Sequence, residues 1–380
     1  MIINNLKIVT PTKIIERGYL KINNGFIVDI VEGEYKGNDI VIDGLSKIAL
    51  PGFIDVHTHG INGIDFMDAS INIIREVNSV LYKEGVTSYL LTTVTGSFVD
   101  LDKACLNVKE AIKNNDTLLG IHLEGPFISS LYKGAQNEEY ICPPNIDMFD
   151  KLNKDSGFNI KYITLAPELN GASDFINKYS KDLVISAGHT GASFNDIENA
   201  TKLGLTNITH MYNAMNKGTH KKPGVEAAAY YFNDIYTEII CDGVHVHEDM
   251  IKTLFKIKDH NHIILITDSL KAKGVESKCF SLNGVDCEQK NDAIYIKGSD
   301  KLAGSILTME KAIKNVNKYV KGISLIDIAK ISSTNAATCL HLKDRGEISK
   351  NKVADIVLLD DDLTVSKVYK SGIEVYRNVN

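Results

Sequence analysis

The sequence lacks the features that mark membrane, secreted and disulfide-rich proteins. No apolar stretch approaches the roughly 20 residues of a membrane-spanning helix, and the start, MIINNLKIVTPTK, lacks the charged head and long apolar run of a signal peptide. The six cysteines include no C-x-x-C pair, which is typical of reduced thiols in a cytosolic protein. We therefore predict a cytoplasmic protein with no membrane partner.

Basic residues do not outnumber acidic ones. The 380-residue chain has 42 Lys and Arg against 48 Asp and Glu, a net charge of −6. A nucleic-acid-binding surface usually needs a basic excess, so nucleic acid is not an expected partner. No G-x-G-x-x-G or G-K-[ST] loop follows a predicted strand, which leaves little support for nucleotide binding. A small phosphorylated ligand needs only a few local cations and stays compatible with this charge.

The two ends of the chain predict one small β domain. Residues 1–50 contain short alternating strands, and Asn24-Gly25 within YLKINNGFIVDI predicts a hairpin turn. Residues 346–380 show the same alternation. Because a few strands need a second layer to bury a core, we expect both ends to meet in a small β-sandwich domain, with residues 51–345 inserted between them.

The middle of the chain alternates strand-like segments with helical patterns such as INIIREVNSVLYKEG and FNDIENATKLG. Eight β-then-α units predict an α/β fold, a (β/α)8 TIM-like barrel with the small domain beside it. The strand candidates are GFIDVH (52–57), TSYLLTTV (87–94), LLGIHLE (118–124), KYITLAPE (161–168), DLVISAGH (182–189), TNITH (206–210), YTEIICD (236–242) and HIILITD (262–268).

Most of these strand candidates end on a residue capable of chemistry. His57 and His59 face the same way because alternate residues of a strand share a side. Catalytic groups of such barrels lie at the carboxyl ends of the strands, so the side chains are expected to converge. They are ligands that Zn²⁺, Fe²⁺ or Mn²⁺ accepts; the alternative is a set of separate caps and hydrogen-bonded core groups. The candidates are His57, His59, Glu124, His189, His210 and Asp268.

Longer motifs support the convergent site. They are, in order, HLEGPFIS, SAGHTGAS, THMYNAMNKGTHKKPGV, DGVHVH, LITDSLKAKG and LAGSILTM. Together they resemble the N-acetylglucosamine-6-phosphate deacetylases, a branch of the amidohydrolase superfamily, over nearly the whole chain. The H-x-H pair alone indicates only the superfamily.

The resemblance implies a role for each site residue. Glu124, His189 and His210 would hold a divalent metal (Zn, Fe or Mn), and His57 and His59 match members in which a second ion binds. The resemblance is therefore compatible with either one or two ions per subunit. The resemblance also implies that Asp268 is the general base and that His245 polarises the acetyl carbonyl.

The resemblance also implies the substrate contacts. His220 and Lys221 fall where the family grips the 6-phosphate, although arginine is expected at 221; lysine keeps the charge and loses the bidentate fork. In family members this segment reaches a neighbouring subunit, which implies a homodimer. The residues that match positions lining the sugar are Ala135, Asn213, Ala214, Asp242, Gly243, Val244, His245, Leu302, Ala303 and Gly304.

The implied reaction converts N-acetyl-D-glucosamine 6-phosphate to D-glucosamine 6-phosphate and acetate, in amino-sugar catabolism and cell-wall recycling. Alternatives are the same chemistry on another ring, such as N-acetylgalactosamine 6-phosphate, hydrolysis of a cyclic amide, or a metal-binding protein without catalysis. Glu168 is interpreted as a structural residue or as one that supports a ligand, and His247 as an ordinary loop residue. The long loop 128–145 is a candidate lid.

Overall fold

A computed structural model of the chain describes residues 1–275, 279–291 and 293–379. Within them, eight parallel strands form one sheet in sequence order and alternate with eight helices, which confirms the (β/α)8 barrel. The strands are β1 Phe53–Thr58, β2 Val86–Thr92, β3 Leu118–Glu124, β4 Ile160–Leu165, β5 Val184–Ala187, β6 Asn207–Ile208, β7 Tyr236–Ile240 and β8 Ile263–Ile266. The helices are α1 Ile71–Leu81, α2 Phe98–Ala111, α3 Ile146–Asp155, α4 Ala172–Tyr179, α5 Phe194–Leu203, α6 Val225–Tyr231, α7 Glu248–Ile257 and α8 Met309–Tyr319.

The barrel closes between β1 and the segment that follows β8. The Asp268 backbone N–H donates to the His57 carbonyl at 2.8 Å, and the His59 N–H donates to the Ser269 carbonyl at 2.8 Å. Thr58 and Ser269 form a parallel bridge at the same point. The seam therefore coincides with the place where several predicted site residues leave their strands.

Local sequence explains why these elements form where they do. The barrel strands are buried almost throughout, as expected for parallel strands covered by helices. Ser193 caps the start of helix α5 through a reciprocal capping box with Asp196, and Gly204, with φ of +110°, caps its end. A left-handed residue of this kind ends a helix at little cost only when it is glycine.

A second sheet is built from both chain ends, as the predicted fold class requires. Ile48–Pro51 pairs antiparallel with Ile356–Leu359, and the sheet curls until the Ile27 N–H donates to the Lys352 carbonyl at 2.8 Å. The enclosed core is separate from the barrel core and includes Leu6 and Leu358. The strands are Ile2–Val9, Ile14–Asn23, Phe26–Glu32, Val41–Asp43, Ile48–Pro51, Ile356–Leu359, Val365–Lys370 and Ile373–Arg377.

The domain boundaries at residues 50 and 345 stay predictions. The strand Ile48–Pro51 crosses the first of them and leads directly into β1. Among the described residues, we find no helix with the length and apolar character needed to cross a lipid bilayer.

Smaller elements complete the fold. A three-stranded antiparallel sheet, which the sequence did not predict, lies between β8 and α8. Its strands are Cys279–Leu282, Val285–Lys290 and Ala293–Ile296. Two short strand pairs are Gly60–Ile61 with Ile64–Asp65 and Gly218–Thr219 with Lys222–Pro223. The short helical segments are Tyr82–Glu84, Ile112–Asn114, Ser130–Tyr132, Glu138–Tyr140, His260–His262, α9 Leu325–Ala329, Lys330–Thr334 and α10 Asn335–Cys339.

A buried ion pair ties the barrel seam to α8. Lys273 Nζ lies 2.7 Å from Glu84 Oε1, and the two side chains are 2% and 5% exposed. The other carboxylate oxygen of Glu84 accepts the backbone N–H of Met309, the first residue of α8, at 2.8 Å. Lys273 follows Asp268 closely in sequence, so this pair anchors the segment that closes the barrel.

We predict that Lys273→Met destabilises the fold strongly, because it leaves the Glu84 charge buried without its partner. The expected loss is about 3–5 kcal/mol in the free energy of unfolding, measured by chemical denaturation. Lys252→Met is the matched control: its ion pairs with Glu248 and Asp249 are exposed, and the expected loss is about 0–1 kcal/mol. Equal losses in the two variants would contradict the anchoring role of Lys273.

Candidate metal centre and active site

The structure brings the predicted metal ligands together at one end of the barrel. His57 lies in β1 and Glu124 ends β3, whereas His189, His210 and Asp268 each lie two residues beyond the ends of β5, β6 and β8. The last three residues have left-handed backbone conformations, with φ of +47°, +30° and +48°. Such conformations cost about 1–3 kcal/mol each and cluster at functional sites, because surrounding contacts must hold them.

Glu124 is the centre of the cluster. Its Oε1 atom lies 3.3 Å from Nε2 of His57 and 3.2 Å from Nε2 of both His189 and His210. Its Oε2 atom lies 3.4 Å from Nε2 of His59. Burial opposes ionisation of Glu124, but the imidazoles of His57 and His189 outweigh it and hold the pKa of the carboxyl well below its usual range.

The donor set fits a divalent cation. Nε2 of His57 and Nε2 of His59 are 3.2 Å apart, and Nε2 of His189 and Nε2 of His210 are 3.1 Å apart. Two ring nitrogens at this distance need a proton or a cation between their lone pairs. Two overlapping groups, His57–His59–Glu124 and Glu124–His189–His210, have ligand atoms that all lie within 4.8 Å of one another. Buried imidazole and carboxylate ligands of this kind suit Zn²⁺, Fe²⁺ or Mn²⁺.

Asp268 faces the same cluster. Its Oδ1 atom lies 3.2 Å from Nε2 of His59 and 3.6 Å from Nε2 of His57. Burial raises the pKa of Asp268, but the His57 and His59 imidazoles outweigh burial and lower it to about 2. The Asp268 carbonyl accepts the Ser305 N–H at 2.8 Å, which holds the residue from the other side. The Asp268 carboxylate therefore faces the imidazoles as an anion.

His245 is oriented by Asp242. Its Nδ1–H donates to Asp242 Oδ2 at 2.6 Å, and Asp242 Oδ1 accepts the backbone N–H groups of Val244 and His245 at 2.8 Å each. Burial disfavours the imidazolium, but the hydrogen bond and charge of Asp242 outweigh it and raise the pKa of His245. The buried Nε2 atom has no hydrogen-bond partner among the described residues, so it is available to a substrate.

A cavity of about 300 Å³ opens beside these groups. Gly304 belongs to its wall with φ of +99°, and a Cβ there would lie 2.9 Å from Leu270 Cγ, so a larger residue would displace this turn. The wall of the cavity includes seven of the predicted substrate-contacting residues: Ala135, Asn213, Ala214, His245, Leu302, Ala303 and Gly304.

The remaining predicted substrate residues lie outside the wall that the described residues form. Asp242 supports His245 instead of facing the cavity, and Gly243 and Val244 form the turn between them. His220 and Lys221 are exposed at the tip of the hairpin formed by Gly218–Thr219 and Lys222–Pro223. Their contact with a substrate stays a prediction, and within one chain the cavity does not contain them.

Comparison with known proteins identifies the family. The sequence profile of the amidohydrolase family matches residues 48–375. The chain belongs to the amidohydrolase family. This assignment confirms the superfamily that the motifs predicted.

Relatives of this amidohydrolase are similar over nearly its full length. It is 36% identical over 375 residues to N-acetylglucosamine-6-phosphate deacetylase of Bacillus subtilis, covering 96% of this chain and 94% of that protein. The crystal structure of the Thermotoga maritima deacetylase has a TM-score of 0.90 at 34% identity, covering 100% of both chains. A Mycobacterium smegmatis deacetylase mutant in complex with N-acetyl-D-glucosamine-6-phosphate has a TM-score of 0.93 at 26% identity, covering 99% of both chains.

Several wall residues of this amidohydrolase were not predicted from its sequence. Gln136 donates from Nε2 to Glu124 Oε2 at 2.6 Å and accepts the Thr95 N–H at 2.7 Å, so it holds the central carboxylate. Leu282 reaches the cavity from the unpredicted three-stranded sheet. Asp300 and Lys301 also line the wall, and no motif singled them out. Of these residues, only Gln136 had a signal in the sequence, because it directly follows Ala135, a predicted sugar contact.

Glu168 and His247, to which the sequence assigned no catalytic role, make contacts that stabilise the local structure. Glu168 accepts the Thr190 hydroxyl at 2.5 Å and the Gly191 N–H at 2.6 Å, which braces the turn after His189. His247 is exposed and caps α7 by accepting the Asp249 N–H at 3.2 Å. The lid interpretation of loop 128–145 stays a prediction, although the loop carries Ala135 to the cavity wall.

We predict that His210→Asn strips most divalent metal from the purified protein. One of the three ligands in the Glu124–His189–His210 group is lost, so the affinity should fall by more than the roughly 10- to 100-fold typical of a residue that only supports a ligand. Elemental analysis measures the metal content. His247→Asn is the control, because it changes an exposed histidine and keeps a capping side chain. Unchanged metal content in His210→Asn would show that the cluster does not hold the ion.

Proposed function

We propose that this amidohydrolase hydrolyses the acetamide of N-acetyl-D-glucosamine 6-phosphate to D-glucosamine 6-phosphate and acetate, in amino-sugar catabolism and cell-wall recycling. The observation that carries the proposal is the Asp268 carboxylate, which faces both the cavity and the Glu124–imidazole cluster. The names of full-length relatives at up to 36% identity support the substrate. In this proposal Asp268 is the general base and His245 donates the hydrogen bond to the carbonyl oxygen, and both line the same cavity.

The metal ligands of the proposal are Glu124, His189 and His210 for a first ion, with His57 and His59 available for a second. We propose Zn, Fe or Mn, since each accepts imidazole and carboxylate ligands. A divalent cation bound there supplies Lewis acidity, which makes a water molecule acidic enough to ionise near pH 7. The protein's own contribution is to hold five donor side chains in place around that position.

Asp268 moves the proton of the reaction, and His245 stabilises the charge that develops on the carbonyl oxygen. The Asp268 carboxylate accepts a proton from the attacking water as its oxygen bonds to the acetyl carbon. His245, protonated on Nε2 with the support of Asp242, donates a hydrogen bond to the carbonyl oxygen as negative charge develops there. The C–N bond then breaks, and Asp268 returns its proton to the amine nitrogen, so that acetate and the amino sugar leave.

The sugar and its phosphate contact different parts of the protein. Small residues of the wall, such as Ala135 and Ala214, let the backbone approach the sugar closely. We propose that the protein is a homodimer in which His220 and Lys221 of one chain bind the phosphate in the other chain's cavity. Their exposure on a hairpin supports this arrangement. The buried thiols of Cys105, Cys241 and Cys339 are consistent with a cytoplasmic protein.

We predict that Asp268→Asn lowers kcat for acetate release from N-acetylglucosamine 6-phosphate by about 10²- to 10⁴-fold, because the variant lacks the proton acceptor. The metal content should stay near that of the wild type, since the amide keeps the shape of the side chain. Asp300→Asn is the matched control in the same wall and should retain normal turnover. If Asp268→Asn kept most of its rate, the proposed mechanism would be wrong.

We also predict that Lys221→Ala raises KM for the phosphorylated sugar by about 10- to 100-fold and leaves N-acetylglucosamine itself unaffected, because one charged contact to phosphate is lost. Steady-state kinetics on both substrates measure the effect. Lys301→Ala is the informative comparison, since Lys301 lines the cavity of its own chain. A larger phosphate-dependent loss in Lys301→Ala than in Lys221→Ala would place the phosphate on Lys301 and refute the hairpin assignment.

A further inference from the structure

Glu238 is a fully buried carboxylate that the proposed reaction does not use. It lies in the middle of β7, between Thr237 and Ile239, and its exposed fraction is 0%. Among the described residues, His57 is the only residue that forms an ion pair with Glu238. A buried charge is costly unless it is paired and hydrogen-bonded, so the contacts of Glu238 indicate what it does.

The carboxylate of Glu238 accepts three hydrogen bonds. Its Oε2 atom accepts the Nδ1–H of His57 at 3.0 Å and the backbone N–H of His210 at 3.2 Å. Its Oε1 atom accepts the Tyr162 hydroxyl at 2.6 Å, and the Asn207 amide in turn donates to that hydroxyl at 3.0 Å. One oxygen atom of Glu238 therefore contacts two of the candidate metal ligands directly.

The other imidazoles of the cluster have no comparable support. Nδ1 of His189 donates to the Tyr132 carbonyl at 3.0 Å, a neutral acceptor. The buried Nδ1 atoms of His59 and His210 have no hydrogen-bond partner among the described residues. His57 is thus the ring whose outer nitrogen contacts a carboxylate, while its Nε2 points at Glu124.

A separate ion held by Glu238, His57 and His122 is the alternative explanation, because their ligand atoms also lie close together. Both ring nitrogens of His122 are already bonded. Its Nδ1–H donates to the Val56 carbonyl at 2.9 Å, and its Nε2 accepts the Thr164 hydroxyl at 2.8 Å. His122 therefore has no lone pair left for a cation, and the carboxylate serves His57 instead.

We propose that Glu238 is a positioning residue that keeps the proton of His57 on Nδ1, so that the Nε2 lone pair of His57 faces the metal centre. A carboxylate on the outer nitrogen also makes the imidazole a stronger ligand. The inference rests on the proposed metal-dependent function. It adds that occupancy of the His57–His59 half of the centre depends on a carboxylate that contacts no ion and no substrate.

The test is Zn²⁺ titration of the metal-stripped full chain in competition with a chromophoric chelator. Glu238→Gln should weaken binding of an ion that uses His57 by about 10- to 100-fold, the range for loss of a supporting residue. Tyr162→Phe is the matched control: it removes another hydrogen bond to the same carboxylate but leaves the His57 contact. That control should lower the unfolding temperature and leave the Zn²⁺ affinity unchanged.

Four results would be decisive. Folded Glu238→Gln with wild-type affinity and stoichiometry for Zn²⁺ would overturn the inference, as would an equal loss in Tyr162→Phe. Wild-type protein that binds no Zn²⁺ at all would instead refute the metal-dependent function itself. If Glu238→Gln does not fold, ¹⁵N NMR of the histidine-labelled, Zn²⁺-loaded wild type decides: we expect His57 protonated on Nδ1, and protonation on Nε2 would overturn the inference.

Discussion

The Glu124 carboxylate is the constraint on which the rest of the site depends. A buried anion needs compensation, and here three imidazole nitrogens lie within 3.3 Å of a single oxygen atom. Those nitrogens come from β1 and from the turns after β5 and β6, so no short segment of chain could assemble them. A closed barrel solves this problem, because the ends of its parallel strands meet around one axis. The chemistry therefore requires the whole barrel.

The ligands also require strained backbone, and the fold supports it with specific bonds. His210 and Asp268 have left-handed conformations, and each is held by hydrogen bonds to distant residues. The His210 N–H bonds to Glu238, whereas Asp268 is held between His57 and Ser305. Long-range contacts of this kind let a non-glycine residue keep an unfavourable φ. The fold itself consequently fixes the positions of the donors, and fixed donors reduce the reorganisation needed during a reaction.

The order of strands and helices, and the residue types at the strand ends, could be predicted from the sequence. The individual side-chain contacts across the barrel could not. Alternation of strands and helices, with His, Glu or Asp at strand ends, predicted the barrel and the convergence of Glu124, His189 and His210. The same pattern could not show that Asp242 bonds to His245 instead of facing the cavity. It also could not assign Glu238, although a charge within the predicted strand YTEIICD, next to Ile239 and Ile240, indicates a buried partner. That partner, His57, is 181 positions away.

In the proposed reaction, the two ends of the substrate meet different parts of the fold. The acetamide end is assigned to the strand ends, where backbone and buried side-chain bonds hold Asp268 and the imidazoles. The cations proposed for the phosphate, His220 and Lys221, lie on an exposed hairpin, and Lys301 lies on a loop of the cavity wall. A lysine ammonium tolerates displacement better than a bidentate guanidinium does, since it acts as a point charge. The proposed function therefore assigns amide cleavage to the barrel and phosphate recognition to its surface loops, so substitutions are expected to change the two properties independently.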